Sequence, residues 1–405
     1  MSTCKIAKGR ACGTVTAPPS KSYAHRMLLA AFLSQKQVTV NNIDISNDIA
    51  ATLDCIRAMG AKVTIGEGCV TVEPGSGVLS STLNCRESGS TLRFMIPVAL
   101  ALFGKGHFTG TEKLFSRGIG QYEQLFASQG IKYALTADCL TVEGSLHSGV
   151  IEIDPSQSSQ YVTGLLFTLP LLDGDSQIRF TGKLQSKPYV DITLDVLNQA
   201  GIVAEYTAKG ISVKGGQKFD LSDSHVEGDW SNAAFLDFYN HIGGDVLVMG
   251  LKKDSLQGDR IYRELYDRLD KGHCKIDLSD CIDLGPALFT LAAVKHGALF
   301  TGTSRLRIKE SDRVGDILEE LAKVGVKAKV KDNSVMLHSI PKDRMAQLSS
   351  GEIVFDSHND HRLAMSMAAL ASMFGARING CEAVGKSFPG FFDTLRRLKL
   401  DITDE

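Results

Sequence analysis

The stretch Pro18-Pro19-Ser20-Lys21-Ser22-Tyr23-Ala24-His25-Arg26 shows how this chain combines a fold with a function. The two prolines keep the chain extended and disfavour a helix before them. Ser20 is a suitable N-cap, and the apolar run 27–33 has the composition of a buried helix. Lys21 and Arg26 therefore lie on the first turns of a helix, whose free N–H groups and dipole favour an anion. The stretch predicts a buried helix that begins at an anion-binding site.

Length and composition indicate a globular chain of two domains. The sequence has 405 residues, 43% of them apolar, and a net charge of −2,. That charge supplies no general basic field, so we expect no nucleic-acid partner. Gly, Pro or Ser interrupts every apolar run before it could span a bilayer, and the N-terminus shows no signal pattern. Nine cysteines without a Cys-x-x-Cys pair indicate free thiols and a cytoplasmic protein,.

A short strand followed by an amphipathic helix recurs six times, and a helix that is apolar nearly all round precedes each strand. A helix that is hydrophobic on every face belongs inside a core. In several repeats we also expect two short strands after the amphipathic helix. The pattern predicts an α/β (α+β) fold of two similar domains, each of three repeats, with helices inside and sheets outside. The recurring strands are 38–42, 107–110, 178–182, 246–250, 299–302 and 377–380, and the buried helices are 27–33, 94–103, 162–172, 233–239, 287–294 and 363–374.

Capping explains only some of the polar residues that precede the buried helices. Taken singly, Ser158, Asp229 and Asn359 are good candidates for N-caps. A cation in such a place opposes the helix dipole and points to an anionic ligand instead. If three repeats close into a domain, equivalent ends converge, and we expect a basic cleft between the two domains. The bases at the helix starts are Lys21, Arg93 and Arg362, and the polar loops after the strands add Arg117, Lys187, Arg260, Arg305, Arg307, Lys309, Arg313 and Lys386.

Metal and nucleotide sites have little support in the sequence. Asp356, His358, Asp360 and His361 have ligand-type side chains, but the neighbouring Arg362 disfavours a metal cation,. There is no Gly-x-x-x-x-Gly-Lys-Ser/Thr loop and no Gly-x-Gly-x-x-Gly after a strand,. We therefore expect no metal, and no nucleotide site of these two types.

Together the motifs resemble the 5-enolpyruvylshikimate-3-phosphate synthase family, the 3-phosphoshikimate 1-carboxyvinyltransferases, over nearly the whole chain. The resemblance implies an inside-out α/β barrel of the enolpyruvyl transferase type. It places shikimate 3-phosphate on a domain of residues 16–225, and phosphoenolpyruvate with the acid–base groups on residues 1–15 and 226–405. The active site would lie in the cleft between the domains. Eight motifs follow the family order: 19–26, 88–93, 158–160, 186–189, 226–229, 307–313, 359–362 and 386–389.

The implied reaction moves the enolpyruvyl group of phosphoenolpyruvate to the 5-hydroxyl of shikimate 3-phosphate and releases phosphate by addition and elimination. It belongs to the shikimate pathway, which leads to chorismate and the aromatic amino acids, and it requires no metal or organic cofactor. By the resemblance, shikimate 3-phosphate binds to Lys21, Ser22, Arg26, Ser158, Ser159, Gln160, Ser186, Tyr189, Asp283 and Lys309. Phosphoenolpyruvate binds to Lys21, Gly89, Arg117, Gln160, Arg313, His361, Arg362 and Lys386.

Proton transfer is assigned by the same resemblance to Asp283 and Glu310, with Lys21 as the third catalytic residue. Our hypothesis is that Asp283 takes the hydroxyl proton, Glu310 exchanges the proton at the methylene carbon, and Lys21 steadies the phosphate. For Glu310 the alternative is a salt bridge to Lys309 or Arg313. The substrates bring about six negative charges, which seven bases nearly balance: Lys21, Arg26, Arg117, Lys309, Arg313, Arg362 and Lys386.

Several further expectations accompany the resemblance. Glu87 and Arg305 stand where the family commonly has asparagine, so substrate contacts at these two positions should differ. We expect glyphosate to compete with phosphoenolpyruvate, because Gly89 leaves that site open, and we expect a monomer. A related enolpyruvyl transferase acting on UDP-N-acetylglucosamine is the alternative, disfavoured by the motif at 19–26. A non-catalytic anion-binding repeat scaffold is the alternative of another class, and it leaves Asp283 and Glu310 without a purpose.

Overall fold

In the computed structural model the chain divides into two compact units. The inserted unit is Pro19–Glu227, and the terminal unit combines Met1–Pro18 with Gly228–Glu405. The borders between the units therefore fall at 18/19 and 227/228, where the sequence predicted 15/16 and 225/226. The structure describes residues 2–75, 77, 80, 82–348 and 353–405.

Helices and strands alternate along both units. The described α-helices are α1 Lys21–Leu33, α2 Asn47–Ala58, α3 Gly89–Phe103, α4 Glu112–Ser116, α5 Gln121–Gln129, α6 Gln160–Thr168, α7 Lys187–Gln199, α8 Trp230–Asp237, α9 Tyr262–Lys271, α10 Gly285–Val294, α11 Arg313–Ala322, α12 Lys342–Gln347, α13 His361–Ala371 and α14 Phe391–Arg397. The described strands are β1 Thr3–Ile6, β2 Cys12–Thr16, β3 Val38–Asn41, β4 Lys62–Gly66, β5 Cys69–Glu73, β6 Leu83–Asn84, β7 Lys105–Thr109, β8 Lys132–Leu135, β9 Cys139–Glu143, β10 Val150–Ile153, β11 Ser176–Phe180, β12 Ala204–Thr207, β13 Gly210–Val213, β14 Ser224–His225, β15 Asp245–Met249, β16 Cys274–Asp277, β17 Ala298–Thr301, β18 Ala328–Lys331, β19 Ser334–Leu337, β20 Val354–Asp356, β21 Ala376–Asn379 and β22 Ile402–Asp404.

The six predicted buried helices are confirmed. In the inserted unit α1, α3 and α6 lie in one hydrophobic core, and in the terminal unit α8, α10 and α13 lie in another. Their starts follow from local chemistry, since Ser20 accepts a hydrogen bond from the Tyr23 N–H and Asp229 one from the Asn232 N–H,. Asp360, rather than Asn359, caps α13 by accepting from the Arg362 N–H. In these three helices the cap orders the residues that precede the helix.

Each recurring strand has a parallel neighbour that the sequence analysis did not predict. In four repeats the neighbour (β6, β10, β16 or β20) precedes the buried helix, and the recurring strand (β7, β11, β17 or β21) follows the helix. Parallel strands need such a crossover connection, which the buried helix provides. The antiparallel strands after the amphipathic helix are also present, as in the predicted pair β18 and β19.

In the two remaining repeats, the strand before the buried helix pairs in the other unit: β2 precedes α1 and β14 precedes α8. In the inserted unit β3 pairs in parallel with β14, and in the terminal unit β15 pairs in parallel with β2. The N-terminal β1 pairs antiparallel with both β21 and β22, completing the last sheet of the terminal unit. The fourth repeat departs from the expected pattern, because the described sheet of β15 contains only β15 and β2.

Close helix packing in the inserted unit depends on a glycine. A Cβ atom on Gly164 of α6 would lie 2.4 Å from the carbonyl oxygen of Arg93 on α3 and 2.3 Å from the hydroxyl of Tyr122. Because real Cβ atoms do not approach so closely, any larger residue would push α6 away from the start of α3. The packing thus holds Arg93 in place.

Two further predictions concern the whole described chain. All nine cysteines are free, as the absence of Cys-x-x-Cys pairs indicated. Among the described residues, no helix has both the length and the apolar character needed to cross a bilayer.

Candidate active site

Arg26, from the first motif, lies at the centre of a buried polar network in the inserted unit. Its side chain is 3% exposed, and its Nε atom donates to Thr193 Oγ1 at 2.8 Å. Its other donors reach the carbonyl oxygens of Ser22 and Tyr189, at 2.7 and 3.1 Å, and Thr163 Oγ1 at 3.3 Å. Burial lowers the pKa of the guanidinium to about 10, which leaves it charged at neutral pH,. Arg26 thus joins α1, α6 and α7 through hydrogen bonds to neutral acceptors.

Lys21 forms an ion pair that the sequence analysis missed. Its Nζ atom lies 2.7 Å from Asp48 Oδ2, and the two side chains are 17% and 14% exposed. Asp48 is in the first turn of α2, where a negative charge complements the helix dipole,. An anion that binds Lys21 must therefore compete with a carboxylate that is already in place.

Gly89 lies beside two arginines. A Cβ atom on Gly89 would be 2.6 Å from Arg93 Nη1 and 3.0 Å from Arg117 Nη1. Arg93 also donates to Gln160 Oε1 at 3.0 Å, and Gln160 donates to Ser90 Oγ at 2.9 Å. The structure thus brings the predicted residues Gly89, Arg117 and Gln160 together around Arg93. Arg93 is 4% exposed, and only the unfavourable position of its cation at a helix start could have marked it as a site residue,.

The predicted serines of the inserted unit lie at helix starts. Ser158 Oγ accepts from the Gln160 N–H at 3.2 Å, and Ser159 is the buried residue that precedes α6. Ser186 precedes α7 with a φ of 55°, a left-handed conformation that is uncommon for serine,. Helix α7 begins at the next residue, Lys187, and supplies the Tyr189 carbonyl oxygen that accepts from Arg26.

A chain of buried hydrogen bonds connects the starts of α1, α2 and α3. His25 Nδ1 lies 2.7 Å from Thr52 Oγ1, which lies 2.8 Å from Thr91 Oγ1. Thr91 in turn donates to Ser88 Oγ at 2.8 Å. Burial lowers the pKa of His25 well below its usual value, with help from Lys21 and Arg26, so the imidazole is neutral. The network fixes the Lys21 and Gly89 helix ends relative to each other.

The second cluster, in the terminal unit, is centred on Arg313. This side chain is 1% exposed, and its three nitrogens reach three carboxylates. Nε lies 2.7 Å from Asp360 Oδ2, Nη1 lies 3.0 Å from Asp283 Oδ1, and Nη2 lies 2.8 Å from Glu310 Oε2. Burial opposes the charge of Arg313, but the carboxylates of Asp360, Glu310 and Asp283 raise its pKa. The salt bridge considered as the alternative role of Glu310 is therefore present with Arg313.

Asp283 is shared among three cations. Arg362 Nη2 donates to Asp283 Oδ2 at 2.9 Å, and Lys309 Nζ lies 3.8 Å from Asp283 Oδ1, in addition to the contact with Arg313. Burial acts to raise the pKa of Asp283, but Arg362, Lys309 and Arg313 hold it well below its usual value,. Asp283 is thus firmly ionised, and it becomes a stronger base only when a ligand draws these cations away.

Lys309 is the cation of this cluster that loses its proton most easily. Burial lowers its pKa to about 8, although Asp283 and Glu310 oppose the shift. At neutral pH the ammonium is still mostly charged,. Its charge is therefore sensitive to mildly alkaline pH.

His361 and Lys386 are both buried and lie near the start of α13. His361 begins α13, with Nδ1 3.9 Å from Asp360 Oδ1. Lys386 donates from Nζ to the carbonyl oxygen of Asn359 at 2.6 Å, and Asn359 has a φ of 53°. The left-handed turn before α13 thus turns a backbone oxygen toward the Lys386 ammonium. The predicted residues Lys386 and His361 of the terminal unit thus lie at the start of α13, close to Asp360 of the Arg313 cluster.

Some predicted bases lie outside these clusters. Arg260 is exposed and donates to the carbonyl oxygen of Lys253, and Arg307 forms an exposed ion pair with Asp312. Arg305, one of the two departures from the family pattern, is buried and donates to the carbonyl oxygen of Ser279 at 3.0 Å. The recurrence of bases in the polar loops therefore overstated how many of them gather at one place.

The histidines considered as metal ligands have separate partners. His358 Nε2 lies 2.9 Å from Glu320 Oε1, whereas His361 lies at the start of α13 beside Asp360. In the described part of the chain, the group with metal-ligand geometry is Glu319, Glu320 and His358. Lys323 Nζ lies within hydrogen-bond distance of both oxygens of Glu320, and an ammonium there repels a metal cation,.

Comparisons with known proteins identify the family of the chain. The family model described as EPSP synthase (3-phosphoshikimate 1-carboxyvinyltransferase) matches residues 7–395. The chain belongs to the EPSP synthase family. A 3-phosphoshikimate 1-carboxyvinyltransferase of Clostridium kluyveri is 38% identical over 97% of this chain and 96% of its own length. One of Clostridioides difficile is 35% identical over 98% of each chain.

Solved structures support the fold. The EPSP synthase of Acinetobacter baumannii superposes with a TM-score of 0.79 at 24% identity and covers 100% of both chains. This likeness confirms the predicted fold class, with helices inside and sheets outside. Family membership and the names of the relatives support enolpyruvyl transfer to shikimate 3-phosphate, a reaction of the shikimate pathway, as the activity of this chain. The UDP-N-acetylglucosamine alternative is therefore not favoured.

Proposed function

We propose that this EPSP synthase family member forms 5-enolpyruvylshikimate 3-phosphate with the predicted residues in the predicted roles. The observation that carries the proposal is the cluster around Arg313, where Asp283 and Glu310 lie on the same guanidinium. Two carboxylates and several cations side by side suit a reaction that moves protons between anionic substrates. A non-catalytic scaffold would have no use for carboxylates in a site that must attract anions.

In the addition step, the 5-hydroxyl oxygen forms a bond to the enol carbon of phosphoenolpyruvate. The hydroxyl gives its proton to Asp283, and the methylene carbon gains a proton from Glu310, which enters the step in its protonated form. In the elimination step the bond between that carbon and the phosphate oxygen breaks, the methyl group returns a proton to Glu310, and the departing phosphate takes the hydroxyl proton from Asp283. Lys21 steadies the departing phosphate by its charge. Both carboxylates need a partner change first, because Arg313 binds them in the absence of substrate.

Substrate binding is proposed to make that change. Arg313 and Arg362 are assigned to phosphoenolpyruvate, so its carboxylate and phosphate would compete with Asp283 for the same donors. When the positive partners turn to the ligand, the pKa of Asp283 rises and the carboxylate becomes a better base. In this way the base gains strength only when the second substrate is bound.

The shikimate 3-phosphate residues are proposed to be Lys21, Ser22, Arg26, Ser158, Ser159, Gln160, Ser186 and Tyr189 of the inserted unit, with Lys309 and Asp283 of the terminal unit. The phosphoenolpyruvate residues are proposed to be Lys21, Gly89, Arg117 and Gln160, with Arg313, His361, Arg362 and Lys386. Since residues of both units are required, we propose that neither unit is active alone.

A phosphate-release assay tests the function directly. Purified protein with both shikimate 3-phosphate and phosphoenolpyruvate should release phosphate and form the enolpyruvyl ether, detected by mass spectrometry. Omission of either substrate is the control. Phosphate release that does not depend on shikimate 3-phosphate, or no release at all, would overturn the proposal. Replacement of shikimate 3-phosphate by UDP-N-acetylglucosamine should give no product.

Glyphosate is proposed as a competitor of phosphoenolpyruvate, since Gly89 leaves space in front of Arg93 and Arg117. Rates measured at several concentrations of each compound should show an apparent KM for phosphoenolpyruvate that rises with glyphosate. No inhibition at millimolar glyphosate would contradict this.

We also propose a cytoplasmic monomer. The nine free thiols support the cytoplasmic location, because thiols stay reduced there,. Light scattering of the purified protein tests the monomer.

A further inference from the structure

Behind the terminal-unit cluster lies an acidic residue to which the family resemblance assigned no role. Asp259 lies in the turn Gly258–Ile261, ahead of α9, and is 4% exposed. The Ser231 hydroxyl, in the first turn of α8, acts on its carboxyl group and lowers its pKa. Ser231 Oγ accepts from Arg362 Nη1 at 2.6 Å, while Nη2 of the same guanidinium donates to Asp283 at 2.9 Å. Ser231 thus contacts the arginine that holds Asp283 and also acts on Asp259.

The surroundings of Asp259 are rigid and only partly polar. Gln257, in the same turn, accepts from the Trp230 N–H at 3.0 Å and donates to the Gly228 carbonyl oxygen at 2.9 Å, which ties the turn to the start of α8. Asp259 Oδ1 is buried and has no hydrogen-bond partner within the described part of the chain. A carboxylate with one bare buried oxygen is costly to keep ionised.

Charges from each neighbouring element act on this carboxyl group. The pKa of Asp259 is raised to about 7, first by burial and then by Asp283 and Asp229, while Arg362 and the Ser231 hydroxyl act to lower it. Cys281 also lies close enough to be affected by Asp259, and its own raised pKa keeps it neutral. Asp259 thus changes charge near neutral pH, in contrast to Asp283, which is ionised throughout.

We propose that Asp259 is a positioning residue that takes up a proton from solvent when an anionic substrate binds to Arg362. The proposal rests on the proposed role of Arg362 in binding phosphoenolpyruvate. An ionised Asp259 attracts the Arg362 guanidinium and repels an arriving anion. A neutral Asp259 does neither, so the full charge of Arg362 is available to the ligand. Because binding and protonation favour each other, phosphoenolpyruvate should bind more weakly as the pH rises through 7.

The test compares the KM for phosphoenolpyruvate of the unmodified enzyme and Asp259→Asn between pH 6 and 8.5, at saturating shikimate 3-phosphate. Asparagine has the shape of the neutral acid and carries no charge. Titration of the substrate and of other groups affects both proteins alike. The KM of the unmodified enzyme divided by the KM of Asp259→Asn therefore isolates the effect of Asp259. This ratio should be near one at pH 6 and rise several-fold by pH 8.5. The rise should be about tenfold for each unit by which the bound ligand raises the pKa of Asp259.

A ratio that does not change with pH, or that rises toward low pH, would overturn the proposal, because a purely structural role changes KM equally at every pH. Asp270→Asn is the matched control, since Asp270 is a carboxylate of the same unit that pairs with His241 and Lys295. Its ratio should be flat. Absence of phosphate release from the unmodified enzyme would instead overturn the proposed function, so the two failures are distinguishable.

Ser231→Ala gives a second route if Asp259→Asn lowers the folded fraction measured by circular dichroism. The Ser231 hydroxyl lowers the pKa of Asp259, so its removal should raise that pKa. The pH at which KM begins to rise should therefore move upward in Ser231→Ala. An unchanged midpoint would count against the proposal.

Discussion

The two clusters hold their arginines in different ways. In the inserted unit Arg26 and Arg93 donate to hydroxyl, carbonyl and amide oxygens, all of them neutral. In the terminal unit Arg313 and Arg362 donate to carboxylates. An arginine on neutral acceptors keeps its whole charge for a ligand, whereas a carboxylate partner cancels much of it and adds a group that can move protons. The inserted unit is thus suited to anion binding, and the terminal unit to acid–base chemistry.

The largest expected effect is on the carboxylate side of this comparison. Asp283→Asn keeps the size of the side chain and an oxygen for Arg362, but removes the proposed base. We expect kcat to fall about 10²–10⁴-fold, with KM for phosphoenolpyruvate unchanged or lower because the arginines lose a competing charge. Steady-state phosphate release measures both constants. A near-normal kcat would remove Asp283 from the mechanism, and Asp270→Asn is the matched control.

The neutral side of the comparison is tested by Gly89→Ala. The new methyl group would lie 2.6 Å from Arg93 Nη1 and 3.0 Å from Arg117 Nη1, so both guanidinium groups must shift. Loss of one charged hydrogen bond, about 1.5–3 kcal/mol, should raise KM for phosphoenolpyruvate about ten- to a hundredfold. Gly390→Ala, whose new methyl group meets nothing within 4 Å, is the control. Unchanged KM in Gly89→Ala would separate Gly89 from the phosphoenolpyruvate site.

A pH profile sharpens the comparison further, because the terminal unit places a lysine with a lowered pKa among carboxylates. Lys309 has a pKa of about 8, so it loses its charge above that pH. KM for shikimate 3-phosphate should then rise up to about tenfold between pH 8 and 9. Lys309→Arg should remove this rise, since arginine stays charged. Lys295→Arg, in an ion pair with Asp270, should leave it unchanged. A rise that persists in Lys309→Arg would assign it to another group.

The smallest effect concerns the exception in the inserted unit, the ion pair of Lys21 with Asp48. Asp48→Asn should release Lys21 for a phosphate and lower KM for the substrates by a factor of about two to five. The free energy of unfolding should fall by about 1 kcal/mol or less, as chemical denaturation would show. Asp54→Asn, on the same helix and paired with Arg57 and Arg86, is the control. A higher KM in Asp48→Asn would mean that Asp48 orients Lys21 for binding.

Much of the fold was predictable because its signals are local. The apolar composition of α10 and α13, the i, i+3, i+4 pattern of α11, and the Ser20 and Asp229 caps each depend on residues close in sequence,. The short strands β6 and β20 were missed, since two or three residues carry no periodic pattern and form a strand only through a parallel neighbour. The strand exchange of β2 and β14 involves partners far apart in sequence.

The predicted site was incomplete for a related reason. The resemblance supplied residue types at motif positions, but Asp48, Ser231 and Asp259 lie outside the residues it assigned and join the clusters only through the packing of separate helices and turns. Arg93 carried a signal, a cation at a helix start, and was not assigned. Arg260 and Arg307 carried the same signal of a base in a polar loop, yet lie at the surface.

The sequence by itself determined the six buried helices, the caps of α1 and α8 and the types of charged groups available, because hydrophobic periodicity and capping act within a few residues. Only the tertiary structure decided which charges meet. Whether an arginine carries its full charge or shares it with a carboxylate depends on distances of about 3 Å between residues that lie up to 167 positions apart, as Arg26 and Thr193 do. It also depends on the burial that strengthens each such contact.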